Sequence, residues 1–232
     1  MVGGAYAQVN YWKNYLKLDD ANLQLVAENA ELRQQIQGLL SIDTTVAQEV
    51  VDSIHQVRYR YITAQVANNS IHQKNNYLTI NKGSLHGVQK GMGVISPTGV
   101  VGIVLQVSPH FATIQSVLHR DTRISASLVE SNAFGSLMWG TEFNPKHGVL
   151  KDIPNHVVVQ PGEAIVTSGY SLFPPGIPLG KVIKTDNEGG ESFFNILVEL
   201  STDFHNLQHV YVVKDLYDLE LKELGKELDS DG

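Results

Sequence analysis

Four leucines spaced by seven constrain this chain more than any other feature. Leu18, Leu25, Leu32 and Leu39 recur at that interval, and Val46 continues the register. Neither proline nor glycine interrupts residues 6–37, and Gly38 is the one breaker before Val57. With the leucines at heptad position d, position a holds Tyr15, Asn22, Asn29, Ile36, Asp43 and Val50, and the two asparagines and Asp43 make the zipper a weak one. Leucine at d with an occasional buried asparagine at a is the pattern of a parallel two-stranded coiled coil, in which asparagine penalises shifted registers. Glu28 at g can pair with Arg33 at the following e of a second helix, which favours the same arrangement. A single amphipathic helix packed on its own domain drifts toward a period of 3.6, so the strict interval argues against it. The expectation is a dimerising helix over 13–55 with a seam of Leu18, Asn22, Leu25, Asn29, Leu32, Ile36 and Leu39.

Beyond Val57 the period changes to two. Tyr59, Tyr61 and Thr63 alternate with Arg60, Ile62 and Ala64; Ile124, Ala126 and Leu128 alternate with Ser125 and Ser127; Phe194, Ile196, Val198 and Leu200 alternate with Asn195, Leu197 and Glu199. Ser96-Pro97-Thr98-Gly99, between Val94-Ile95 and Val100-Val101, has type I turn chemistry and reads as a hairpin. Short strands with glycine-marked turns indicate small barrels or sandwiches. The chain is 232 residues long and 42% hydrophobic, more than one small barrel needs. The fold class expected is mainly β with an N-terminal coiled coil and two small β-barrels. The first barrel is expected over 57–118 plus 193–213, the second over 119–190 as an insertion, and an acidic tail over 214–232.

Charge excludes some functions. Charged residues are 18% of the chain and its formal net charge is −7, so there is no basic footprint for nucleic acid or an anionic membrane surface. Residues 214–232 hold three lysines and seven acids, which accounts for −4 of that charge. Cysteine is absent, which removes disulfides, thiolate metal sites and a cysteine nucleophile.

No catalytic motif survives inspection. His119-Arg120-Asp121 copies three letters of a kinase catalytic loop, but Ala126 stands where a magnesium-binding Asn belongs. His205 and His209 have the spacing of two zinc ligands on a helix, yet Asn206 replaces the catalytic Glu and a strand pattern follows. Thr167-Ser168-Gly169 places a serine in a glycine turn, the one candidate for a two-barrel serine hydrolase; it lacks the flanking residues of such enzymes, and His119 and Asp121 could not easily form its relay. Neither a phosphate loop nor a dinucleotide fingerprint is present, and no cofactor or metal is expected.

What remains is backbone chemistry. Gly83, Gly87 and Gly91 punctuate residues 82–93, and Gly169, Gly176 and Gly180 punctuate the later loop; all six are expected to shape turns. Phe173, Pro174, Pro175, Ile177 and Leu179 form a proline-stiffened stretch with two readings: a rigid barrel connection, or an exposed apolar loop that binds a partner at little entropic cost.

Taken in order, these segments resemble the extracytoplasmic part of the MreC family of rod shape-determining proteins. The likeness is carried by Glu28 to Arg33, Tyr61 to Val66, Ile80 to Ser84, Gly87-Val88, Gly91 to Val94, Gly99 to Gly102, His119 to Ala126, Pro161 to Glu163, Val166 to Gly169, Phe173-Pro174 and Gly180 to Val182, and it ends with Asp203-Phe204 and Val210 to Val213. Tyr170-Ser171-Leu172 departs from the glycine-rich stretch common in the family. The resemblance implies a homodimeric, non-enzymatic scaffold with two barrels, which organises and activates peptidoglycan synthesis. It also implies a periplasmic location behind an inner-membrane anchor that would lie upstream of Met1. The partners it implies are a class B penicillin-binding transpeptidase, MreD, RodA and the MreB filament. A filament-forming structural protein is the remaining alternative, since barrels with exposed strand edges can self-associate.

Overall fold

A computed structural model describes residues 25, 27–33, 58–140, 143–186, 193–218, 220, 221 and 223. The chain divides into two units, residues 1–57 and 58–232. Within the first, Leu25 and residues 27–33 are helical.

Among its described residues the second unit contains twelve strands: β1 (Tyr59–Asn69), β2 (Asn75–Ile80), β3 (Gly93–Ile95), β4 (Val100–Val107), β5 (Ala112–His119), β6 (Arg123–Leu128), β7 (Phe134–Trp139), β8 (His147–Pro154), β9 (Ala164–Thr167), β10 (Pro178–Asp186), β11 (Phe193–Leu200) and β12 (His209–Asp215). They close into two six-stranded antiparallel barrels, in the orders β1-β12-β3-β4-β5-β2 and β10-β11-β8-β7-β6-β9. The second barrel is therefore inserted into the first between β5 and β12. One expectation is corrected: residues 193–200 do not return to the first barrel. Strand β11 pairs with β10 and β8, with Phe193 opposite Pro154 and Val198 opposite Val182, and β12 alone closes the first barrel against β1 and β3.

The period-two segments form strands because alternate side chains leave water together. In β6, Ile124, Ala126 and Leu128 are fully buried and Arg123 is exposed; in β2, Leu78 and Ile80 are buried. Each such large aliphatic side chain contributes roughly 1.5–3 kcal/mol. Barrels this narrow need sharply coiled strands, which bulges provide at Val66/Asn68, Val104/Gln106 and Val182/Lys184. Gly102 and Gly180 lie where a side chain would strike the neighbouring strand's carbonyl, of Gln115 and Glu199 respectively. The first barrel's seam is tied by Arg58, whose Nε and Nη2 donate to the Asp215 carboxylate at 3.1 and 2.9 Å. That hydrogen bond holds the guanidinium pKa above its ordinary value.

Candidate interaction surfaces

The polar residues singled out for catalysis have structural partners. Ser168 Oγ shares a hydrogen bond with Ser125 Oγ at 2.7 Å and accepts one from the Tyr170 amide. His119 is elsewhere, at the end of β5: its Nδ1 accepts the Asp121 backbone N–H at 3.1 Å, so Nε2 carries the proton of the neutral ring and donates to the Tyr77 hydroxyl at 3.0 Å. Burial pushes the His119 pKa down. The ring thus closes the 120–122 link between the barrels. His205 lies in the β11–β12 turn with its ring edge-on to His72 at 6.3 Å, while His209 begins β12. No cluster of three metal-ligating side chains occurs among the described residues.

The proline-stiffened stretch is placed differently from an exposed docking loop. Phe173 is 1% exposed, Leu179 3% and Ile177 5%, and Pro174 is buried too; Pro175, Gly176 and Pro178 face solvent. The cause is Thr167 at the end of β9. Its amide donates to the Ile177 carbonyl, its carbonyl accepts the Gly176 amide, and its hydroxyl donates to the Pro174 carbonyl and accepts the Ile177 amide. The pinned loop drives Phe173 across to the first barrel. A Cβ built on Gly93 of β3 would come within 2.7 Å of the Phe173 ring, and one on Gly99 within 2.6 Å of the Pro178 carbonyl oxygen. Thr202 Oγ1 adds a hydrogen bond to the Val100 carbonyl at 2.9 Å. The premise of an exposed apolar loop is corrected: Phe173, Ile177 and Leu179 point inward, and Phe173 wedges the two barrels together.

The six glycines separate into two kinds. Gly87, Gly91, Gly169 and Gly176 have φ between 81° and 87°, the left-handed region that disfavours other residues. Gly83 and Gly180 instead sit where a side chain would meet backbone, the Ser108 and Glu199 carbonyls. Glu163, which sequence reasoning passed over as a catalytic group, is 2% exposed and ties the second barrel's loops: Oε1 accepts the amides of Glu130 and Ser131 and the Ser131 hydroxyl, at 2.9–3.1 Å.

Of the expected helix seam, Leu25, Asn29 and Leu32 fall among the described residues; Leu18, Asn22, Ile36 and Leu39 lie outside them. Leu25 and Leu32 are 54% and 46% exposed, and Asn29 Nδ2 donates to the Leu25 carbonyl one turn back at 2.8 Å. A helix that presents two leucines and an asparagine along one stripe offers the apolar seam a second helix requires.

Clefts open on the barrels. One, about 360 Å³, lies between residues 89–92, Leu172 and the segment Val213 to Leu221. Another, about 530 Å³, lies at the barrel junction and is lined by Lys74, Arg120 and Lys151 together with Trp139 and Phe143. No spacing in the sequence signals it, because its residues come from a turn in one barrel and several strands and a loop of the other. Tyr170, 81% exposed, stands edge-on to Phe134 at 5.6 Å.

Comparison with known proteins assigns this body a lineage. The family model described as the barrel core of rod shape-determining protein MreC matches residues 66–214. The cell shape-determining protein MreC of Listeria monocytogenes serovar 1/2a is 28% identical over 203 residues, covering 81% of this chain and 68% of that protein. The solved Listeria MreC structure superposes with a TM-score of 0.62 at 24% identity, over 88% of this chain and 94% of its own. MreC from Helicobacter pylori, solved in complex with the penicillin-binding protein PBP2, gives a TM-score of 0.57 at 15% identity over 68% of this chain and 99% of its own.

Proposed function

This chain belongs to the MreC family of rod shape-determining proteins, and from that premise we propose that it is a non-catalytic scaffold of cell-wall elongation. The family match from residue 66 to 214 carries this reading, because it runs through both barrels. What the chain shares with its relatives is the double-barrel body itself. In this reading the N-terminal helix pairs two copies and the barrels present fixed surfaces to partners. Such a scaffold activates an enzyme by binding its open conformation more tightly than its closed one.

The partner proposed is a class B penicillin-binding transpeptidase, supported by the Helicobacter pylori relative solved with PBP2. MreD, RodA and the MreB filament complete the proposed assembly on the grounds of family membership. A periplasmic location for the barrels, tethered to the inner membrane, is proposed on the same grounds. Among the described residues no helix is long and apolar enough to cross a membrane.

Depletion in the source bacterium tests this. Cells should lose their rod shape, and both the unaltered chain and a Ser168→Ala variant should restore it. Rods that persist after depletion would sink the scaffold reading. Failure of Ser168→Ala alone, with the variant folded, would point instead to a hydrolase.

A further inference from the structure

We infer that the cleft at the barrel junction binds the acidic C-terminal segment, residues 224–232, of a second copy of this chain. The cleft gathers three cations, Lys74 from the first barrel, Arg120 from the link between the barrels and Lys151 from β8, and among the described residues no acidic one lines it. In a chain of net charge −7, that local excess selects an anionic occupant. Among the described residues no carboxylate lies within ion-pair distance of Lys74 or Lys151. Arg120 has Asp121 3.5 Å from its Nε, and both side chains are largely exposed, so that pair is weak and open to exchange.

The wall between the cations is apolar. Met138, Trp139 and Val149 line it, and Phe143 completes it. Phe143 has φ of 52°, a conformation that costs a residue other than glycine about 1–3 kcal/mol and that clusters at ligand-binding positions. Its ring stands edge-on to Trp139 at 5.1 Å, and Lys74 Nζ lies 6.0 Å from the ring centre. The strained backbone thus fixes a 39% exposed aromatic ring beside a cation.

Residues 224–232 match that chemistry. Leu228 is flanked by Glu227 and Asp229, with Asp231 beyond. In an extended segment the three carboxylates share one face and Leu228 takes the other, so cations and apolar wall are engaged together. Topology favours a second copy, because the helical residues 218, 220, 221 and 223 shorten the reach of the chain's own tail. Strand β12 ends at Asp215, opposite Tyr59 at the start of β1, whereas Lys74 follows the far end of β1. Those ends are separated by an 11-residue strand, about 36 Å at ~3.3 Å per residue. A tail that leaves at one end and binds at the other in a neighbour joins copies head to tail.

The absence of native cysteine allows a direct test on the full chain. Asn195→Cys, on the cleft wall, and Leu228→Cys are made in separate chains and mixed under a glutathione redox buffer. The heterodisulfide should exceed random pairing. It should fall about tenfold when Lys74→Glu and Lys151→Glu are added to the cleft chain, and also in 1 M NaCl, where the screening length is about 3 Å. Glu227→Lys with Asp229→Lys in the tail chain should restore pairing with the reversed cleft, which a merely misfolded variant could not do. Random product ratios, or a yield indifferent to charge reversal, would overturn the proposal. An intramolecular disulfide in a chain carrying both cysteines, without the intermolecular product, would overturn the assignment to a second copy.

Discussion

Replacing Phe173 by alanine should loosen the two barrels from each other, and Gly93 supplies the control. Phe173 is 1% exposed, and truncation of a buried phenylalanine costs about 3–5 kcal/mol in lost transfer energy and unfilled cavity. That is a large share of the roughly 5–15 kcal/mol that holds a domain folded. Gly93→Ala should be destabilising for the opposite reason: its Cβ would meet the Phe173 ring at 2.7 and 2.8 Å, and crowding of this kind costs about 1–3 kcal/mol. Combined, the two should compensate. With the ring gone, the new methyl keeps only a 3.0 Å approach to the Leu172 carbonyl oxygen, and alanine gains about 0.4–1 kcal/mol by restricting the unfolded chain. Urea unfolding of the four proteins in the cycle measures this coupling, expected at about 1–3 kcal/mol and favourable. Additive effects, or a Phe173→Ala cost under about 1 kcal/mol, would refute the wedge.

Other predictions follow from single contacts. The folded-state pKa of His119 lies below its ordinary value through burial, so the neutral ring's contribution is present above about pH 6.5 and is lost as pH falls below it, with a slope of at most ~1.4 kcal/mol per pH unit. His119→Gln should flatten the stability profile between pH 7 and 5; an unchanged profile would exclude His119 as its source. Glu163→Ala removes the acceptor of two amides and a hydroxyl and should cost about 3 kcal/mol in urea unfolding. Glu163→Gln, which keeps a carbonyl oxygen, should cost less. Leu25→Lys with Leu32→Lys puts four cations into the proposed two-helix seam and should shift sedimentation equilibrium to the monomer; an unchanged mass would contradict the seam.

Much of the fold was legible because a half-buried strand writes its burial into alternate residues. Ile124, Ala126 and Leu128 announce β6, and Ser96 to Gly99 announces the β3–β4 hairpin. Alternation does not name the partner, however. Strand β11 has the pattern of a barrel strand in either barrel, and its place was decided by distant pairing, with Phe193 opposite Pro154. The place of Phe173 is illegible in the sequence for a related reason. A proline-rich loop usually lies in solvent, and nothing near it in sequence reveals that Gly93, eighty residues earlier, leaves room for its ring. Lys74, Arg120 and Lys151 carry no motif, since their meeting depends on the insertion of one barrel into the other. Nor do the catalytic fragments announce the contacts they make: Ser168 pairs with Ser125, and His119 with Tyr77.

The central claim is that this double barrel is a scaffold for a cell-wall transpeptidase. Biolayer interferometry with the purified chain and the extracytoplasmic domain of the source organism's class B penicillin-binding protein tests it most directly. Saturable binding is predicted, weakened at least tenfold by Phe173→Ala through loss of the fixed barrel geometry and undiminished by Ser168→Ala. Absence of binding at concentrations up to about 100 μM, weaker than about −5.5 kcal/mol on the scale where 1 μM is about −8.2 kcal/mol, would contradict it.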